Sequence, residues 1–191
     1  MLRGEKVLLR AETLDDVEAL YPIRSADVEL HMLGSGRQWR PVALEDVLRQ
    51  ASKRNPEESI EHGIRFTVET RVAVPGVPAG TPIGNASLFE VDLHQRLCNF
   101  GMRFVAEARG HGFGTEALGL LCDYAFRVRG LNRMQCFTLA RNGPMIAVAT
   151  RVGFRQEVRQ REAAWSDGRW EDQLVFGLLA DEWKGLSDAA R

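Results

Sequence analysis

The sequence predicts an α+β domain around a mixed, largely antiparallel sheet, and three observations carry that expectation. Residues 64–69 alternate apolar and polar side chains, as a half-buried strand does, and residues 83–91 read as another strand. Leu118, Leu121, Cys122 and Ala125 recur at helical spacing, with Phe126 beside them. The inferred order is strand, helix, helix, three strands, helix, strand, helix, two strands, which departs from a regular βα alternation.

The elements follow one by one. Residues 6–10 read as a first strand. Thr13 is a natural N-cap, with Asp15 and Asp16 in the first turn and Val17, Leu20 and Tyr21 on one face. Pro22 falls near a kink or an end. Residues 31–40 contain Gly34, Ser35 and Gly36 and read as a loop. Pro41 suits the start of a second helix through Leu44, Val47 and Leu48, and Asn55-Pro56 breaks it. Residues 74–82, rich in proline and glycine, read as an exposed connection. A turn around 92–96 leads into a strand over 99–105. The helix after residue 112 stops at Gly130. A strand over 134–139 precedes a helix capped by Asn142 with Pro144 in its first turn, ended by Gly153. Residues 154–165 and 170–179 read as a final strand pair around Ser166-Asp167-Gly168.

With 191 residues the chain is expected to form one domain, 1–191. The formal net charge is −1 and the sequence has no basic footprint for nucleic acid. Cys98, Cys122 and Cys136 lack metal-ligand spacing, and the four histidines form no HExxH pair. No metal site and no disulfide framework is expected. No apolar run is long enough to cross a bilayer, so no membrane partner is expected and a cytoplasmic location is the default.

The most informative stretch is Arg109-Gly110-His111-Gly112-Phe113-Gly114-Thr115-Glu116, between a strand and a helix. A strand, a glycine-rich turn and a helix N-terminus present free backbone N–H groups at the positive end of a helix dipole, which suits a phosphate. A P-loop needs Lys-Ser or Lys-Thr after its second glycine, and here Gly114 is followed by Thr115-Glu116. A dinucleotide turn needs Gly-x-Gly-x-x-Gly, and the third glycine position, counted from Gly110, is Thr115. A nicotinamide oxidoreductase therefore fits poorly.

Arg109, Gly112 and Gly114 match the Arg/Gln-x-x-Gly-x-Gly/Ala signature of the GNAT N-acetyltransferase superfamily. Arg10 with Asp16, Gly84, Gly101, Glu116-Ala117, Asn142, Gly153-Phe154, Asp172 and Glu182-Trp183 fall in the order of the same pattern. The chain resembles the branch that includes the bacterial ribosomal-protein N-terminal acetyltransferases. That resemblance implies a three-layer fold, with a sheet of about six to seven strands flanked by about four helices. It implies acetyl-CoA as co-substrate and a primary amine as acceptor, either a protein N-terminal α-amine or a small-molecule amine. The amides of Arg109, Gly110, His111, Gly112, Phe113, Gly114 and Thr115 would hold the pyrophosphate. Met102, Phe104 and Val105 would pair with the pantetheine arm, on a strand that bulges and splays from the next. Asn142, and Met145 near it, would contact the pantetheine region. His31, Trp39 and the 34–36 loop would border the acceptor pocket. Homodimers are common in such families, which leaves that assembly open.

For a general base, Glu90 is the first candidate and Glu162 the second, each weighed against a solvated carboxylate. Asp172 could be structural, and Cys136 could be an acid or a small buried residue. The chain departs from relatives at three places. Met145 stands where many carry Ser, Ala149 where others carry Tyr, and Asn99 where a Glu is frequent. Those departures keep a second expectation in play, a catalytically weak acyl-CoA-binding or regulatory module of the same fold.

Overall fold

The computed structural model describes residues 1–34, 39–54 and 63–185. Two antiparallel segments open the chain, β1 (Leu2–Arg3) and β2 (Val7–Ala11). Helix α1 (Leu14–Ala19) begins in a capping box: Thr13 Oγ1 accepts from the Asp16 amide, and the Asp16 carboxylate accepts from the Thr13 amide. A single π turn (Pro22–Ala26) and helix α2 (Val28–Gly34) follow, then α3 (Leu44–Ser52). The loop expected over 31–40 is corrected over its first residues: His31 to Gly34 finish a helix whose short apolar pattern the glycines obscured. The Ser35-Gly36 part of that loop and the Asn55-Pro56 break lie outside the described residues. Pro41 precedes α3 rather than starting it, because Ala43 is the N-cap.

Strands β3 (Gly63–Thr70), β4 (Pro82–Asp92) and β5 (Leu97–Phe104) form the expected antiparallel meander. A 3-10 turn (Ala106–Ala108) leads to α4 (Phe113–Asp123), which runs on into a π segment (Tyr124–Val128). Then come β6 (Arg133–Leu139), α5 (Gly143–Val152), β7 (Arg155–Ser166) and β8 (Arg169–Leu179). The sheet has eight strands in the order β1-β2-β3-β4-β5-β6-β8-β7. This is one more than the sequence order gave, because two-residue β1 carries too little pattern to read.

The side-chain period of two divides β2 to β5 into an apolar and a polar face. Val7, Leu9, Val68, Ala86, Leu88, Cys98 and Phe100 join Phe113, Leu118, Leu121 and Cys122 of α4 in the main core. The opposite face carries Arg10, Arg65, Thr67, Asn85, Ser87, Asn99 and Arg103. It meets the α1–α3 side through Asp16 of α1 and Arg24 of the π turn. Helices thus cover both faces, and the three-layer expectation holds. Among the described residues no helix is long and apolar enough to cross a membrane.

Every strand pairing is antiparallel except one. β5 runs parallel to β6 over three pairs, ending at Asn99↔Gln135, while β5 continues against β4 to Phe104↔Gly84. The second half of β5 therefore leaves β6 and shows an open edge. The expected splay is present. The bulge expected with it lies elsewhere: β4 is the bulged strand, with Glu90 and Val91 inserted between the pairs Phe89↔Asn99 and Asp92↔Leu97.

Candidate active site

The glycine-rich turn, the candidate anion site, is built by backbone conformation. Gly110 and Gly112 both sit at φ +82°, one residue apart, and Gly112 is the left-handed N-cap of α4. Alternating handedness of this kind turns successive N–H groups toward one point. The amides in the first turn of α4 have no intrahelical acceptor, so they remain available to an anion. Phe113 is 1% exposed and anchors the turn in the core, so what it offers a ligand is its backbone. Gly114 and Thr115 complete the first turn of α4.

Two charged residues, Glu116 in the first turn of α4 and Lys6 far away in sequence, hold this turn. The Glu116 carboxylate accepts from the amides of Glu5, Lys6 and Val7 at 2.6–2.8 Å, clamping the β1–β2 turn to the start of α4. This is the physical work of the Glu in the glycine-rich signature. Lys6 Nζ in turn donates to the His111 carbonyl at 3.3 Å and lies 3.3 Å from where a Cβ on Gly112 would be. The sequence analysis missed this cation, because nothing in the first strand marks a residue that will reach a loop more than a hundred positions away.

Arg109 folds back on the strand end, donating from Nε and Nη2 to the Phe104 carbonyl at 3.2 and 3.0 Å. The Val105 amide donates to the Ile83 carbonyl at 2.9 Å, toward β4. By the period of two, Met102 and Phe104 direct their backbone groups the other way, into the opening beside β6. Of the expected strand contacts, Met102 and the Phe104 amide are thus on the open edge, while the Phe104 carbonyl is taken by Arg109 and the Val105 amide by Ile83. The Asn142 side chain is fully engaged: Nδ2 donates to Thr138 Oγ1 and the Leu33 carbonyl, and Oδ1 accepts from the Met145 amide. It caps α5 and ties α2 to it, and Met145 follows in the same turn.

A cleft of about 1540 Å³ extends from this opening across the polar face of the sheet. Glu90, Asn99, Met102, Asn142, Met145 and His31 all line it. Glu90 takes φ +51° at the β4 bulge, and Asn99 Nδ2 donates to its Oε2. A bulge re-aims a side chain, and here it brings the carboxylate to the neighbouring strand. Asn99 is 5% exposed, and its Oδ1 has no partner among the described residues. Glu162 lies elsewhere. It sits exposed at a bulge of the edge strand β7, where its amide donates to Asp172 Oδ1 at 3.0 Å. Asp172 also accepts from Arg159, and these bonds hold its carboxyl below the usual range. Asp172 is a brace for the β7 bulge. Cys136 lines the cleft, with its thiol pushed up by burial to about 12 and so protonated at neutral pH. Trp39 is turned away from the cleft, with Nε1 donating to the Ser25 carbonyl at 2.9 Å beside a smaller cavity. Among the described residues no group of His, Cys, Asp and Glu could hold a metal ion.

A splayed strand pair, a glycine-rich turn at the next helix and a cleft between them are the architecture of an acetyltransferase fold, and the comparisons agree. The chain belongs to the GNAT acetyltransferase family, whose Acetyltransferase (GNAT) domain matches residues 6–155. It is 32% identical over 106 residues to "Putative ribosomal N-acetyltransferase YdaF" of Bacillus subtilis (strain 168), a match covering 56% of this chain and 58% of that protein. Its fold is similar to that of Mycobacterium smegmatis RimJ in complex with CoA-disulfide, with TM-score 0.79, 25% identity and coverage of 97% and 90% of the two chains. It is equally similar in fold to the spermidine N-acetyltransferase of Vibrio cholerae in complex with CoA and spermine, with TM-score 0.79, 18% identity and coverage of 94% and 98%. YdaF and RimJ bear out the resemblance to the ribosomal-protein acetyltransferase branch.

Proposed function

We propose that this protein transfers an acetyl group from acetyl-CoA to a primary amine, a protein N-terminal α-amine or a small-molecule amine, by direct attack in a ternary complex. The observation that carries the reading is the continuity of the site. One strand, β5, supplies the open edge at Met102 and Phe104 and then runs through Arg109 into the nest at Gly110, Gly112, Phe113, Gly114 and Thr115. A diphosphate held at the nest leaves an amide-bearing arm free to lie along that edge as a short added strand. Its thioester end then reaches the cleft near Asn99 and Glu90.

The thioester is already activated, so the chain's residues mainly position and move protons. Asn99 Oδ1 is an unpaired acceptor in a buried place and is suited to receive an N–H of the acceptor amine. Glu90, hydrogen-bonded to Asn99, takes the proton that the ammonium must lose. The amine nitrogen then forms the C–N bond to the acyl carbon, an outward-facing amide of β5 steadies the oxyanion, and the C–S bond breaks to release a thiolate, which takes up the second proton the nitrogen loses as it becomes an amide and leaves as the CoA thiol. Glu162 is too remote in the fold to share in this.

Calorimetry with acetyl-CoA and a thiol-release assay over a broad amine panel test the reading together. Binding and amine-dependent release are expected, and Glu90→Gln should lower kcat by roughly a hundredfold with acetyl-CoA affinity retained. Failure to bind acetyl-CoA, or binding with no release for any amine, refutes it.

A further inference from the structure

We infer that the acceptor is an amine that also carries an anionic group, a carboxylate or a phosphoryl, held in the cleft by Arg65 and Arg103. This rests on the acetyl-transfer reading above and specifies its second substrate. Arg24, Arg54, Arg65 and Arg103 all line the cleft, whereas Glu12 and Glu90 are the carboxylates among its described lining residues. Glu12 is spent within the cluster: its two oxygens bind Arg24 at 2.7 Å and Arg54 at 2.5 Å. Arg65 and Arg103 form no ion pair among the described residues. Arg103 donates to the Arg24 carbonyl, at 3.5 Å.

Two cations thus face the cleft without a direct ion pair among the described residues, with Glu12 acting on Arg65 and Asp27 on Arg103 only at longer range. The surroundings make that costly: burial, with Arg24 and Arg54 nearby, pushes Arg65 down to about 10, and burial and Arg24 likewise lower Arg103. By surface area Arg65 is exposed to the cleft and Arg103 half-buried, so both guanidinium groups stay open to a ligand although the packed sheet beneath them thins their hydration. Both guanidinium groups remain charged at neutral pH, so an anion between them would relieve repulsion and gain charge-assisted hydrogen bonds. The strand register fixes how such a ligand lies. Arg65 pairs with Ser87 and Ser87 with Gly101, and Gly101 sits between Asn99 and Arg103 on the same face of β5. An amine at Asn99 and Glu90 and an anion at Arg65 and Arg103 share one continuous floor. The same cluster repels a polyamine.

Calorimetry on the CoA-saturated protein, with matched amines, tests this. β-Alanine is set against β-alaninamide, O-phosphoethanolamine against ethanolamine, and spermidine serves as the cationic probe. At least one anionic amine should bind tenfold or more tightly than its neutral counterpart, and the two pairs distinguish carboxylate from phosphoryl. Arg65→Gln and Arg103→Gln should erase the preference, Arg65→Lys should keep part of it, and Arg49→Gln, on the outside of α3, should leave it unchanged. CoA affinity in each variant shows that the fold is intact. Equal binding within both pairs, preference for spermidine, or a preference that survives both arginine variants overturns the inference. Acetylation of neutral amines without anionic preference would sink this inference alone. Anion-selective binding with no acetylation of any amine would sink the transfer reading and leave the anion pocket standing.

Discussion

Gly110 and Gly112 share one backbone conformation but not one environment, and that contrast separates strain from function. Both sit at φ +82°, where an added Cβ costs about 1–2 kcal/mol whatever surrounds it. A Cβ on Gly110 would meet nothing within 4 Å, whereas on Gly112 it would sit 3.3 Å from Lys6 Nζ, at the mouth of the nest. Gly110→Ala and Gly112→Ala should therefore lower stability by a similar amount. Gly112→Ala should in addition weaken acetyl-CoA binding by tenfold or more, because the methyl group would intrude on the proposed diphosphate site and push the Lys6 ammonium off its hold on the turn. Thermal unfolding and calorimetry on the two variants read the terms separately. Equal CoA affinity in both would mean that the nest is not where the diphosphate binds.

At the scale of elements, α1 is fixed to the sheet by one buried carboxylate. Asp16 is 4% exposed and receives Arg10 in a two-pronged pair at 2.5 and 2.8 Å, while Thr67 Oγ1 donates to it at 3.0 Å and the Thr13 amide at 2.9 Å. Arg10 also binds Glu69 at 2.6 Å, so β2, β3 and α1 meet at one guanidinium. Burial opposes ionisation of Asp16, but Arg10, Thr13 and Thr67 outweigh it and hold the carboxyl at about 2. The folded value lies below the ordinary 3.8, so the stabilisation is complete above about pH 4 and is lost as pH falls through 2. It amounts to about 2 kcal/mol. Asp16→Asn should cost about 3 kcal/mol at pH 7, since it strands part of the Arg10 charge. In denaturant titrations at successive pH values, the gap between wild type and variant should narrow toward pH 2. A gap that stays constant would show that the carboxylate is not ionised in the fold. Arg10 and Asp16 were legible as members of a family pattern. Their contact was not, because the sequence does not say which strand the first helix crosses.

For the whole molecule, the same distinction decides what the sequence could tell. The nest was readable because its parts are contiguous and only glycine supports its backbone. Glu90 was readable as a candidate on a strand, but its contact with Asn99 depends on a bulge that no alternation pattern reveals. The arginine cleft gathers Arg24, Arg54, Arg65 and Arg103 from four separate segments, and no contiguous pattern in the sequence marks them as neighbours. Helix α2 was missed because a short amphipathic turn beside glycines resembles a loop. The proposed ligand site draws on β5, the 106–115 turn and the start of α5, with Lys6 and Glu116 linking the first strands to it. A ligand bridging these parts binds the folded chain and not the unfolded one. Acetyl-CoA at a hundredfold over its dissociation constant should then stabilise the fold by about 2.7 kcal/mol. For a chain of this size that raises Tm by about 5–10 °C. NAD at the same concentration should give no shift, because its diphosphate is flanked by two nucleosides and lacks the flexible amide arm that the open edge of β5 would pair. A comparable rise with NAD would reduce the site to a general diphosphate nest and remove the strand edge from the argument.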